Sequence, residues 1–217
     1  MAIIAKRGGE GKAFEPVSEG LHPANCWAVV DLGIQQKGGQ YPGEKHEVYL
    51  GFEVLDQSIE FEKDNVKQTG PMRIGITLTN SLGEKAKLRR YLEKWRGRPF
   101  TEEELDGFDV AKLAGLPCQL LVTHTTKGDK TYANIDAVLG WAKGQPKPAA
   151  PASVMVFDLS NADSHAFAAL PQWLQEKVDA RLANNWDALN KKPSADHDAP
   201  SDTFTDDIQA FDDSLPF

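Results

Sequence analysis

The chain has 217 residues, 41% of them hydrophobic and 26% charged, with a formal net charge of −8, which leaves room for one domain with appendages. Its two cysteines, Cys26 and Cys118, are too few for a disulfide scaffold or a cysteine-based metal site. The N-terminus lacks the apolar core of a signal peptide and no segment reads as membrane-spanning, so an intracellular protein with no membrane partner is expected.

Residues 1–20 are rich in Gly, Lys and Glu and read as a flexible arm. Residues 21–143 hold the dense periodic signal. At 26–34, Cys26, Ala28, Val30, Leu32 and Ile34 alternate with Trp27, Val29, Asp31 and Gly33, which predicts a strand with one apolar face. At 48–55, Val48, Leu50, Phe52 and Val54 form the inward set and leave Tyr49, Gly51 and Glu53 outside. At 72–79, Met72, Ile74, Ile76 and Leu78 point in, and Arg73, Gly75, Thr77 and Thr79 point out. Gly51 and Gly75 lie inside strands, where glycine marks a bend or a close backbone approach.

A helix follows. Ser81 and Glu84 have the spacing of a capping box, Leu88, Leu92 and Trp95 make an apolar stripe bordered by Tyr91, and Gly97 terminates it. Basic residues, Arg89, Arg90 and Arg96 among them, crowd the remaining surface. Thr101 and Glu104 repeat the capping signal and open short helical turns through about Leu113. Strands at 117–125 and 131–141 are joined by a polar turn that reads as a hairpin. Strand, strand, strand, helix, strand, strand is the order of an OB-fold, a five-stranded, partly open barrel with its helix between strands 3 and 4. The chain is therefore expected to be mainly β.

Residues 144–153, GQPKPAAPAS, are a linker by composition. Residues 154–190 read as a short extended and helical appendage. Phe167, Leu170, Trp173, Leu174, Val178 and Leu182 give it an amphipathic pattern, and Pro171 starts its second helix. The piece is too small to fold by itself and is placed to dock on the barrel or on another subunit. Residues 191–217 form an acidic tail, expected to be disordered. Residues 193–217 supply seven of the eight net negative charges, so residues 1–192 sum to −1. The low overall charge therefore does not exclude a nucleic-acid surface on the body.

The tail ends in DDSLPF. Phe217 and Leu215 offer apolar contacts, Pro216 restricts the backbone, and Asp212, Asp213 and the terminal carboxylate suit a basic rim around an apolar pocket. This makes the tip a tethered ligand for another protein; the plainer reading is a solubilising tail.

The DDSLPF tip resembles the acidic, Pro-Phe-ending tips of bacterial single-stranded DNA-binding proteins. The stretch WRGRPFTEEELDGFDVAKLAGLPCQL (95–120) and YANI (132–135) resemble phage single-stranded DNA-binding proteins. The resemblance covers roughly residues 20–143 and the tip. It implies a protein that coats single-stranded DNA during phage replication, recombination or repair in the bacterial cytoplasm. It also implies recruitment of replication or repair proteins through the tip, with self-association on DNA left open.

If the inward sets fill the barrel, Trp27, Tyr49 and Arg73 are available on the opposite face, with Tyr132 at the start of the last strand. Aromatic side chains there can stack bases, and Arg73 can stack or pair with phosphate. The loop after the first strand adds Lys37, Tyr41 and Lys45, and the hairpin turn adds Lys127 and Lys130. The alternative for each outward aromatic is packing beneath the helix or beneath the 154–186 segment.

The five histidines show no metal-site spacing, and there is no phosphate loop or nucleophile elbow. No catalytic residue, metal or cofactor is expected. Two rivals remain: an OB-fold protein-interaction adaptor that binds no nucleic acid, favoured by the near-neutral body, and a metal-dependent nuclease or recombination factor.

Overall fold

A computed structural model describes residues 15–37, 43–63, 66–142, 144–161 and 164–180. The elements run β1 (Gly20–Lys37), β2 (Gly43–Lys63), β3 (Val66–Thr79), α1 (Lys87–Arg96), α2 (Glu102–Asp106), a 3-10 turn (Val110–Leu113), β4 (Pro117–Lys127), β5 (Lys130–Leu139), β6 (Met155–Phe157), α3 (Ser164–Ala168) and α4 (Gln172–Asp179). The protein is mainly β. Five antiparallel strands form one curled sheet, a half-barrel in the order β3-β2-β1-β4-β5, whose end strands β3 and β5 approach each other. Among the described residues no helix is long and apolar enough to cross a membrane.

The inner face of the sheet closes on α1. Val48, Leu50, Phe52 and Val54 from β2, Cys118, Leu120 and Val122 from β4, and Ile135 and Val138 from β5 pack with Leu88, Tyr91, Leu92 and Trp95. Two polar handles orient the helix: Tyr91 Oη donates to the Ile135 carbonyl at 2.6 Å, and Trp95 Nε1 donates to the Pro117 carbonyl at 3.0 Å. Cys26 and Cys118 are free thiols in this core. Burial pushes the Cys26 thiol up to about 12 and the Cys118 thiol well above its usual value, so both stay protonated.

β1 does not keep the simple alternation expected of it. Cys26 faces Phe52 and Ala28 faces Gly51, so Trp27 is an extra residue at a bulge. One inserted residue reverses the parity of everything after it. Ala24, Cys26 and Val29 therefore lie in the inner core, whereas Ala28, Val30 and Leu32 lie on the outer face.

The helix start also differs. α1 begins at Lys87 with Ala86 as its N-cap and no side-chain cap. Ser81 instead accepts from the Gly83 backbone in a local turn at 3.2 Å, which uses its hydroxyl before the helix begins. The second capping box forms: Thr101 accepts from Glu104 N, and Glu104 reaches back to Thr101 N. Glu104 also pairs with Arg96 and Arg98. The Arg98 hydrogen bond, then the Thr101 backbone and Arg96, hold its carboxyl down at about 2. Arg96 is consequently buried against Phe100 and is not part of a solvated basic face.

The appendage docks on the sheet. β4 leaves β1 at Asn25, and β6 takes up the vacated edge, pairing in parallel as Ala28↔Met155, Val29↔Val156 and Val30↔Phe157. Backbone groups of β1 that β4 no longer reaches thereby find partners. Asn25 Nδ2 anchors the linker by donating to the Ala149 carbonyl at 2.7 Å. Leu170, Leu174 and Val178 then bury against Ala28, Val30, Leu32 and Phe157 as a second core. Gln35 Nε2 donates to the Lys177 carbonyl at 2.9 Å and fastens the far end of α4 to β1.

Candidate functional site

The outer face of β1–β3 carries the chemistry that sequence parity points to. β3 runs without a register shift from Met72 to Thr79, so Arg73, Gly75, Thr77 and Thr79 share this face. Tyr49 and Glu53 of β2 stand opposite Thr77 and Arg73.

Two glycines make room for two aromatic rings. A Cβ at Gly51 would lie 3.0 Å from both Trp27 Nε1 and Tyr49 Cε1. A Cβ at Gly75 would lie 2.1 Å from Tyr49 Oη, inside van der Waals contact. Trp27 and Tyr49 therefore sit side by side directly on the sheet. They are not free surfaces: Trp27 is 6% exposed and Tyr49 8%. This corrects the expectation that both rings present open faces. The sequence places them on the correct side of the sheet, but the docked appendage covers that side.

Each ring has its own cover. The Arg73 guanidinium lies over Trp27, 3.9 Å from the ring centroid. Arg73 Nε and Nη2 both donate to Glu53 Oε1, at 3.1 and 2.6 Å. Glu53 is buried, while the Arg73 side chain is 47% exposed. The carboxylate compensates the charge of Arg73 and fixes its plane, so what Arg73 turns outward is a flat, held surface more than a free cation. Tyr49 is covered by Trp173 of α4, with ring centroids 5.0 Å apart and planes at 80°. Burial, with a smaller contribution from Cys26 and opposed by Arg73, pushes the Tyr49 phenol up to about 12.

Beyond Tyr49 lysines gather on the face, with Glu47 opposite Thr79 among them. Lys177 Nζ donates to Thr77 Oγ1 at 3.4 Å. Thr79 then lines an open cleft of about 400 Å³ together with Lys45, Lys85 and Lys87, and with Glu84 as its one acidic residue. The described part of the face thus runs from a stacked Arg–Trp pair, past an aromatic edge, to lysines around a cleft.

Comparison with protein-family models, with curated proteins and with solved structures finds no match.

Of the residues expected to bind, Trp27, Tyr49 and Arg73 come together, and Lys45 joins the same face at its basic end. Lys127, Lys130 and Tyr132 form a separate exposed group on the β4–β5 hairpin, where Gly128 takes a φ of +59° in the two-residue turn. Lys37 ends β1 opposite Gly43, and its side chain is not among those described. Tyr41 and the tip residues Asp212, Asp213, Leu215, Pro216 and Phe217 lie outside the described residues. Sequence reasoning missed Trp173 and Lys177 as members of this face. The amphipathic pattern placed Trp173 with the buried stripe, yet the residue is 44% exposed. Among the described residues no group of His, Cys, Asp and Glu is placed to hold a metal ion.

Proposed function

We propose that the curled sheet is an OB-type barrel and that the chain is a non-catalytic single-stranded DNA-binding protein. One observation carries the reading: planar groups and lysines lie in succession along the outer face of β3, from Arg73 on Trp27 to the cleft of Lys45, Lys85 and Lys87. Unstacked bases need planar partners, which are worth about 1–3 kcal/mol each and accept any base. Phosphates need cations, which make binding salt-dependent. A double helix hides its base faces, so a stacking surface of this kind favours single strands. The strand order, with α1 between β3 and β4, supports the barrel assignment. The acidic tip would recruit replication or repair proteins, as its resemblance to bacterial tips implies.

The test is fluorescence anisotropy of labelled oligo-dT titrated with the full chain at low and high salt. The expected result is saturable binding that weakens with salt and discriminates against duplex DNA. Absence of binding at low salt, with and without residues 193–217, would overturn the reading. It would then favour the adaptor, for which the near-neutral charge of residues 1–192 speaks. Product formation from labelled DNA with magnesium would favour the nuclease.

A further inference from the structure

We infer that the base-stacking surface lies one layer above the sheet, on Arg73 and Trp173, and that α4 is part of the DNA-binding face. The inference rests on the single-stranded DNA reading and assigns its contact residues. Trp27 and Tyr49 each have one side against the sheet and another under a capping group, so little of either ring is left for a base. The caps are the groups that meet solvent, Arg73 at 47% and Trp173 at 44% exposure. Both are held from beneath. Arg73 is fixed by Trp27 and Glu53, and Trp173 by its edge-type contact with Tyr49 and by the burial of its neighbour Leu174. A platform already fixed in place loses little side-chain entropy when a base docks.

Lys177 supplies the charge that Arg73 has given to Glu53. It stands one helical turn from Trp173, with Nζ 5.9 Å from the indole centroid and in reach of Thr77. Its ammonium therefore lies over the indole, within reach of the phosphate of a nucleotide stacked on the exposed part of that ring. The arrangement uses an arginine and a tryptophan for base faces and a lysine for the backbone, in keeping with what each side chain does best.

The experiment compares the full-length wild type with Trp173→Ala, Trp173→Phe and Lys177→Gln, using anisotropy of labelled oligo-dT together with intrinsic fluorescence. Trp173→Ala is expected to weaken binding about 5- to 150-fold. Trp173→Phe, which keeps a ring, is expected to stay within about threefold of wild type by anisotropy while losing most of the DNA-induced quenching. Trp173 is the most exposed tryptophan among the described residues, and Trp27 and Trp95 are buried. Lys177→Gln is expected to make the log–log salt dependence shallower by about 1.

A wild type that binds no oligo-dT by either readout sinks the functional reading itself. A wild type that binds, with Trp173→Ala and Trp173→Phe matching it in affinity and quenching, overturns the platform alone. Tighter binding by Trp173→Ala also overturns it, by making α4 a cover that DNA must displace. If Trp173→Ala loosens α4, the quenching and affinity of Trp173→Phe still decide the matter.

Discussion

Gly75 leaves the space in which the Tyr49 ring lies on the outer face. The Tyr49 ring occupies the space a side chain would need, and the ring cannot simply lift because Trp173 stands on it. Gly75→Ala is expected to destabilise the protein by about 1–3 kcal/mol through overpacking, a fall of roughly 2–4 °C in Tm per kcal/mol at this chain length. Gly83→Ala is the control: it is exposed, and the nearest atom to its Cβ is Ser81 Oγ at 3.4 Å. Equal melting temperatures for Gly75→Ala and the control would show that Tyr49 does not rest on Gly75. A glycine inside a strand signals a close approach from sequence alone, and so it was legible here. Which ring approaches, and what lies above that ring, depends on residues 98 positions further along the chain at Trp173. No local pattern encodes that distance.

The same limit explains the elements. Alternation gave β2 and β3 their correct faces because neither strand is interrupted across the inner core. It failed in β1, where the Trp27 bulge reverses parity, since an extra residue leaves no mark in a pattern that is apolar on both sides. The apolar residues of α4 were readable, but not their destination. Their docking on the outer face is what buries Trp27 and Tyr49 and exposes Trp173. That docking is testable. Leu174 is fully buried, and its truncation to Ala typically costs about 2–5 kcal/mol. Because the appendage is held by one short parallel pairing, one small core and a few hydrogen bonds, the loss should appear first as local undocking. In Leu174→Ala, amide exchange and proteolytic cleavage within 155–180 should accelerate while exchange in α1 and β4 stays slow. Leu92→Ala, in the inner core, should instead lower global stability. Unchanged cleavage of 155–180 in Leu174→Ala would mean that α4 is not held by this core.

Over the whole molecule, charge is partitioned more sharply than side-chain packing. The described body offers Lys45, Lys85 and Lys87 around one cleft and Lys177 beside it, whereas residues 193–217 carry seven carboxylates and no lysine or arginine. A tethered polyanion is always at high local concentration relative to its own body, and it presents to those lysines the same kind of charge that a phosphate backbone would. On the proposed single-stranded DNA reading, the tail is therefore expected to compete with DNA for the lysines at that end of the face. Screening sets where the effect is visible: the Debye length falls from about 30 Å at 0.01 M salt to about 8 Å at 0.15 M. Deleting 193–217 should tighten oligo-dT binding about tenfold, roughly 1.4 kcal/mol, at the lowest salt, and the gain should fade as salt is raised. The competition is intramolecular, so adding the tail back as a separate peptide should restore little of it at equimolar concentration. Equal affinity of the intact and shortened chains at low salt would reject the competition and leave the carboxylates with only the partner-binding role of the tip.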